Sequence, residues 1–180
     1  SLRRVDLLRA LRPDLKIEPL RGNLDTRLRK LDDGLYDGIV LAAAGLKRLG
    51  LAERIRAVLE PEQMLPAAGQ GALGIEVRSA RADVAHALQP LAHQPTWLAV
   101  AAERAVSRVM GGSCSMPLAA FAVWQGDAVF LRATWGDPEG IVPLVQAQDR
   151  AAVRDLAGAN QLGEGVAQQL KARVAGVTGG

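Results

Sequence analysis

Cys114 is the only cysteine in the 180 residues, and it lies in a short glycine-rich loop that runs from Gly111 to Pro117. A single thiol cannot form a disulfide within the chain, which leaves two interpretations. Cys114 is either a small buried hydrophobic side chain, as most free cysteines are, or a thiol that carries a covalent bond to another group. Two glycines before it and a proline after it indicate a turn, where backbone can approach a ligand closely. This setting favours the second interpretation.

Five arginines form the second group of residues that could bind a ligand. Each lies near the start of a predicted helix or after a predicted strand, which is where an α/β layer binds its ligands. The five are Arg3, Arg4, Arg21, Arg27 and Arg48. A guanidinium can bind a carboxylate or a phosphate through two parallel hydrogen bonds. Taken singly, each fits a solvated helix surface; taken together, they predict a multiply charged anion as partner.

The other titratable residues predict no metal site. His86 and His93 have no third ligand at metal spacing, so structural roles are expected for both. Glu103 and Arg104 have the pattern of an ordinary charged pair on a helix surface. The glycines of the segment 67–74 lack the lysine and hydroxyl residues of a phosphate-binding loop, so a hinge or a close-packed crossing is expected there.

In the first half of the chain, the elements that position these residues alternate between helix and strand. Apolar spacing predicts a helix over 2–12, and Asn23 or Asp25 can cap a second helix. Short extended or apolar runs predict strands over 15–20 and 38–44, and the second has the composition of a buried parallel strand. Another helix follows. This order is typical of an α/β layer with a parallel sheet.

The second half predicts a small antiparallel sheet packed by helices. A glycine-rich turn leads into a strand near 71–78, and a long alanine-rich helix over 95–110 ends in the Cys114 loop. Gly126-Asp127 is a two-residue hairpin signal between alternating apolar runs. The predicted strands span 118–124, 128–135 and 141–147, and the closing helix spans 161–175. This half is of the α+β class.

Composition narrows the class of protein. Apolar residues make up 49% and charged residues 23%, as in a globular protein, whereas 3% aromatic residues argue against base stacking. No membrane span or signal peptide is predicted, and one cysteine favours a cytoplasmic location. The net charge is +3, and the excess of basic residues lies in the first third of the chain, where most of them are arginine. A start at Ser1 suggests a processed product or a piece of a longer protein.

Several separate motifs, in a fixed order and spacing, resemble those of one enzyme family. The motifs are Ser1-Leu2-Arg3-Arg4, Arg21-Gly22-Asn23, Thr26-Arg27-Leu28, Ala43-Ala44-Gly45-Leu46-Lys47-Arg48-Leu49, Pro66-Ala67-Ala68-Gly69-Gln70-Gly71-Ala72, Ala102-Glu103-Arg104-Ala105 and Gly112-Ser113-Cys114. They extend over nearly the whole chain. On these residues the chain resembles the porphobilinogen deaminase family, also called the hydroxymethylbilane synthases.

The resemblance implies a transferase of tetrapyrrole, porphyrin and haem biosynthesis. Such an enzyme condenses four porphobilinogen molecules, with release of ammonia, on a dipyrromethane cofactor that serves as primer. The resemblance implies that a thioether to Cys114 holds this primer. The residues it implies for binding the primer and the growing pyrrole chain are Arg3, Arg4, Arg21, Arg27, Arg48, Ser1, Asn23 and Gln70.

The resemblance also implies a domain organisation. Residues 1–66 would be part of a second domain, a periplasmic-binding-protein-like α/β domain with a parallel-rich sheet and an anion-binding edge. Residues 67–90 would form a hinge and a crossing strand that returns to a missing first domain. Residues 91–180 would be a third, α+β domain with a three-stranded antiparallel sheet and the cysteine loop.

The family's catalytic aspartate belongs to the first domain. No catalytic residue is therefore expected in this C-terminal fragment, and the isolated chain is expected to be inactive. The expected partners are porphobilinogen and the N-terminal domain, with no membrane and no nucleic acid, and the full-length protein is expected to be a monomer. The alternative function is a non-catalytic, arginine-rich module that binds anions or nucleic acid.

Overall fold

The computed structural model describes residues 1–112 and 116–179, so Cys114 lies outside the described residues. In chain order the elements are α1 (Leu2–Leu11), α2 (Leu24–Asp32), α3 (Ala43–Arg48), a 3-10 turn (Ala52–Arg54), α4 (Ala82–Leu88), a second 3-10 turn (Gln89–Leu91), α5 (Gln94–Val109), β1 (Leu118–Gln125), β2 (Ala128–Trp135), β3 (Val145–Ala152) and α6 (Leu156–Thr178). Among these helices, none has both the length and the apolar character needed to cross a membrane.

The three strands form one antiparallel sheet in the order β1-β2-β3, which confirms the predicted three-stranded sheet. Alternation along β1 assigns its side chains to two faces. Ala120 and Ala122 join the core on one face, and Ala119 and Phe121 pack on the other. Gly126 has a φ of +67°, which a tight turn between two strands favours and which glycine adopts without strain.

The main core lies between the sheet and the helices α5 and α6, which pack against each other and against the strands. Its centre has no exposed surface at Leu131 of β2, Val106 of α5, or Val166 and Leu170 of α6. Burial of each such side chain stabilises the fold by roughly 1.5–3 kcal/mol. This core fixes the C-terminal end of α5, where the cysteine loop begins.

The third strand lies later in the chain than the predicted span 141–147. The carboxylate of Asp137 accepts the backbone N–H groups of Ile141 at 2.8 Å and Val142 at 3.0 Å, which closes a loop before the strand starts. Pro143 then has no N–H to donate to a ladder. For both reasons the strand begins only at Val145.

The last helix is longer than the predicted span 161–175. Asp155 caps its start, because its Oδ1 accepts the backbone N–H of Gly158 at 2.8 Å. The glycines in its first turns lower helix propensity, so composition does not predict the start of this helix. The cap and the contacts with the core stabilise it.

No strand is present among the described residues 1–112, so the strands predicted at 15–20, 38–44 and 71–78 are not confirmed. These segments lie largely outside helices, and α3 already begins at Ala43. A strand depends on ladder hydrogen bonds to a neighbouring strand, and no described residue supplies one here. The mixed α and β architecture is confirmed, whereas the parallel-rich sheet is not observed in these residues.

Helix α1 packs on the face of the sheet that α5 and α6 leave open. Leu7 is buried there with Leu65 and Ala119. One residue earlier, Asp6 Oδ2 is buried and has no hydrogen-bond partner among the described residues. It lies so close to Gly136 that a Cβ at that position would overlap it.

We expect Asp6→Asn to raise the free energy of unfolding by about 1 kcal/mol at pH 7, because a neutral amide costs less to bury than a carboxylate. Burial raises the pKa of Asp6, Arg9 lowers it, and Asp137 raises it. The folded state therefore binds the proton more tightly than the unfolded state. The destabilisation is present at neutral pH and fades as the pH falls through the raised pKa towards 3.8.

Urea unfolding between pH 4 and pH 8 measures this effect. The control is Glu164→Gln, a substitution of an exposed residue, and its free energy of unfolding should stay within about 0.5 kcal/mol of the unsubstituted value. A loss of stability in Asp6→Asn at pH 7 would contradict the assignment of Asp6 as an unfavourably buried carboxylate.

Candidate functional site

The first turn of α1 places Arg3 inside the protein. Arg3 is 8% exposed, and its guanidinium donates to the carbonyl oxygen of Leu65 and, at 3.1 Å, to Oε1 of Gln70. The same Oε1 accepts the backbone N–H of Ala67 at 3.1 Å. These bonds join α1 to the turn 66–70. Two of the predicted site residues, Arg3 and Gln70, are therefore in direct contact.

The Arg3 guanidinium is a cation held away from water. Burial, with a smaller contribution from the charge of Arg4, lowers the pKa of Arg3 to about 10. A carboxylate brought to this position would offset the desolvation and form charge-assisted hydrogen bonds with a group already in place. The site is chemically suited to an acidic ligand.

Arg4 connects α1 to the segment that leads into α3. Its Nη1 donates to the carbonyl oxygen of Val40 at 3.2 Å. Ser1 lies next to these arginines as the N-cap residue of α1, and it is exposed. Ser1, Arg3 and Arg4 thus share one helix start, as predicted from the sequence.

The start of α2 is built around Gly22 and Asn23. Asn23 Oδ1 accepts the backbone N–H of Thr26 at 2.9 Å, so Asn23 rather than Asp25 caps this helix. Gly22 has a φ of +120°, and a Cβ there would lie 2.9 Å from Thr26 Cγ2, so only glycine fits. Arg27 Nε donates to the Gly22 carbonyl oxygen at 2.7 Å, which folds the arginine back over the helix start.

Arg21 and Arg48 are exposed. Arg48 lies in the last turn of α3 beside Lys47, and the backbone carbonyl of Arg21 accepts Lys30 Nζ at 3.2 Å. In the part of the chain that the structure describes, neither guanidinium makes a hydrogen bond. The structure therefore does not bring Arg21 or Arg48 into shared contacts with Arg3.

The interpretation of Glu103 as half of an exposed charged pair is wrong. Glu103 is 5% exposed, its Oε2 accepts the backbone N–H of Gly69 at 2.6 Å, and its Oε1 accepts that of Ala122 at 2.8 Å. Burial raises the pKa of Glu103, and these two hydrogen bonds lower it in part. Arg104 is exposed, as predicted.

A sequence signal for the burial of Glu103 exists in α5. Ala99 lies one helical turn before it and Val106 one turn after it, and both are buried. Residues at this spacing share one helix face. A carboxylate on the apolar face needs hydrogen-bond donors from other elements, and the sequence does not identify those donors.

Both flanks of the Cys114 loop are described, although Cys114 is not. Gly111 has a φ of +69°, its N–H is donated to Arg108 O at 3.2 Å, and the N–H of Gly112 is donated to Ser107 O at 2.7 Å. This is a Schellman helix ending. The end of α5 therefore accounts for both glycines.

Two family models match the chain. Residues 1–86 match porphobilinogen deaminase, dipyromethane cofactor binding domain, and residues 97–172 match porphobilinogen deaminase, C-terminal domain. The first match contains the five predicted arginines, and the second contains most of α5, Cys114 and the sheet. The cofactor named by the first model is the one that the sequence motifs imply.

Relatives named porphobilinogen deaminase agree with these matches. The one from Albidiferax ferrireducens is 71% identical over 97% of this chain and 55% of its own length. Those from Paraburkholderia phymatum and Ralstonia nicotianae are 58% and 61% identical over 96% and 94% of this chain, and 53% and 51% of their own lengths. The chain spans about half the length of these curated relatives. It belongs to the porphobilinogen deaminase family.

Proposed function

We propose that the full-length protein, meaning a polypeptide of the relatives' length that contains these 180 residues, is a hydroxymethylbilane synthase. It condenses four porphobilinogen molecules head to tail and releases one ammonia at each condensation. The observation that carries the proposal is the 71% identity to the Albidiferax ferrireducens porphobilinogen deaminase over 97% of the chain. The protein is then a transferase of tetrapyrrole and haem biosynthesis.

Cys114 anchors the dipyrromethane cofactor through a thioether. The support is that Cys114 is the only thiol and that it follows a helix end fixed by the main core. When bound, the cofactor supplies the pyrrole end to which the first porphobilinogen is joined. A carbon–sulfur bond of this kind is not readily hydrolysed, so the growing chain remains on the protein. Cys114 is an anchor and not a nucleophile that turns over.

The arginines bind the carboxylates of the cofactor and the growing chain, with neutral hydrogen bonds from Ser1, Asn23 and Gln70. The arginines in this role are Arg3, Arg4, Arg21, Arg27 and Arg48. The buried, cationic Arg3 supports the fit, because a carboxylate there would offset its desolvation. Each charge-assisted bond contributes roughly 1.5–3 kcal/mol where water is partly excluded.

In the full-length protein, residues 1–66 complete a periplasmic-binding-protein-like domain with a parallel-rich sheet. The support is that the extended segment 15–20 and the apolar segment 38–42 lie outside helices and ladders in these residues. Residues 67–90 form the hinge and a strand that crosses to the N-terminal domain, where Leu73 and Ile75 are exposed here. Residues 91–180 form the cofactor-anchoring domain. We also propose a monomeric, cytoplasmic protein.

A polypeptide of these 180 residues alone should show no deaminase activity, because the catalytic carboxylate belongs to a domain it does not contain. A continuous assay of porphobilinogen consumption tests this, with the full-length protein as the positive control. Consumption by the full-length protein and none by the isolated chain is the expected result. Turnover by the isolated chain at a comparable rate would overturn the assignment of catalysis to the N-terminal domain.

A further inference from the structure

The outer edge of β1 is covered by the turn 66–70. Because β1 is an edge strand, its outward N–H groups need partners from outside the sheet. The N–H of Ala120 is donated to Pro66 O at 3.1 Å, and that of Ala122 to Glu103 Oε1 at 2.8 Å. The turn and Glu103 thus accept two neighbouring outward N–H groups of this edge.

Glu103 also holds the turn itself. Its second oxygen, Oε2, accepts the N–H of Gly69 at 2.6 Å. Two N–H groups from different segments therefore point at the two oxygens of one buried side chain. A carboxylate can accept both bonds, whereas an amide would direct its own NH₂ at one of the donors. Glutamine at this position would therefore lose one of the two hydrogen bonds.

The opposite side of the same turn is bound to Arg3. The guanidinium donates to Leu65 O and to Gln70 Oε1, and Gln70 Oε1 also accepts the N–H of Ala67. The turn is thus held between a buried cation on α1 and a buried anion on α5. Arg3 and Glu103 need not touch each other, because a displacement of the turn by one side chain would move the other.

We infer that Glu103 is a positioning residue for Arg3: by fixing the turn 66–70 against β1, it sets where the Arg3 guanidinium meets ligand carboxylates. The inference rests on the proposed function, because it assigns ligand binding to Arg3. Glu103 touches neither substrate nor cofactor in this role. Its effect passes through Gly69 and Gln70 to the arginine.

The test is a double-mutant cycle in the full-length protein with Glu103→Gln and Arg3→Lys. Glu103→Gln should raise the KM for porphobilinogen about tenfold and change kcat less than about threefold, because binding geometry is lost before chemistry. Arg3→Lys should have a similar effect alone. In the double variant the two effects should not multiply, since both variants remove the same positioned guanidinium.

One control and one further test variant separate positioning from loss of stability. Leu170→Ala removes a buried side chain of α6 that makes none of these hydrogen bonds, so it should lower the melting temperature and leave KM unchanged. Glu103→Asp keeps the carboxylate but shortens the side chain, so that it cannot accept the N–H groups of both Gly69 and Ala122. It should raise KM like Glu103→Gln, and it serves as the test variant where Glu103→Gln does not fold.

A second measurement does not depend on activity. Binding of benzenehexacarboxylate, measured by calorimetry on the same full-length variants, should weaken about tenfold in Glu103→Gln and no further in the double variant. If the unsubstituted protein shows no porphobilinogen turnover, but the Glu103 and Arg3 substitutions still weaken probe binding non-additively, the proposed function alone is overturned. A Glu103→Gln or Glu103→Asp protein with unchanged KM and unchanged probe affinity would overturn the positioning role.

Discussion

Cys114→Ser in the full-length protein should abolish porphobilinogen turnover, to about a thousandth of the unsubstituted rate or less. The hydroxyl of serine is a far weaker nucleophile than a thiolate, because it stays protonated at neutral pH. The cofactor would not become attached, so there would be no tethered end to extend. Steady-state porphobilinogen consumption measures the loss, and circular dichroism checks that the fold is retained.

The matched control for this substitution is Ser115→Ala, one residue further along the same loop. It changes the loop but keeps the thiol, so activity should stay within about threefold of the unsubstituted protein. Normal assembly of tetrapyrrole by Cys114→Ser would refute the anchoring role. An equal loss in both variants would show that the loop matters for its structure and not for its thiol.

Gly163→Ala should destabilise the protein by about 3 kcal/mol, the largest structural effect we expect from adding one methyl group. Gly163 lies where α6 crosses α5, and a Cβ there would overlap the carbonyl oxygen of Ala102 and lie 2.5 Å from Ala105 Cβ. Backbone cannot move aside without separating the two helices that form the core. Chemical denaturation followed by circular dichroism gives the free energy of unfolding.

Gly165→Ala is the control on the same helix. Nothing lies within 4 Å of a Cβ at Gly165, and the residue is exposed. Alanine has the higher helix propensity, so this variant should be more stable by up to about 1 kcal/mol. Equal and small effects of the two substitutions would contradict the close crossing of α5 and α6.

The sheet could be predicted well where local signals agree. Alternation and the Gly126 turn locate β1 and β2 almost to the residue, because a period of two and a tight turn are local properties. The third strand begins later than its pattern predicts, because the loop before it depends on hydrogen bonds to Asp137, which no periodicity reveals. The predicted parallel strands are not observed, because no segment among the described residues forms a ladder with them.

The candidate site divides in the same way. The cap by Asn23, the glycine at position 22 and the helix-start arginines follow from short-range rules. The hydrogen-bond partners of the buried Arg3 and Glu103 do not, since they include segments more than thirty residues away in the chain, such as Leu65 and Gly69. A charged side chain can be recognised in a sequence, but the partners that make its burial tolerable are a property of the fold.

The central claim is that Cys114 holds a two-ring pyrrole cofactor. Intact-mass analysis of the purified full-length protein, with peptide mapping of the loop, tests it most directly. We expect a mass increase of two linked pyrrole units on the peptide that contains Cys114, colour with Ehrlich's reagent, and neither signal in Cys114→Ser. An active protein whose Cys114 peptide has the unmodified mass would contradict the claim.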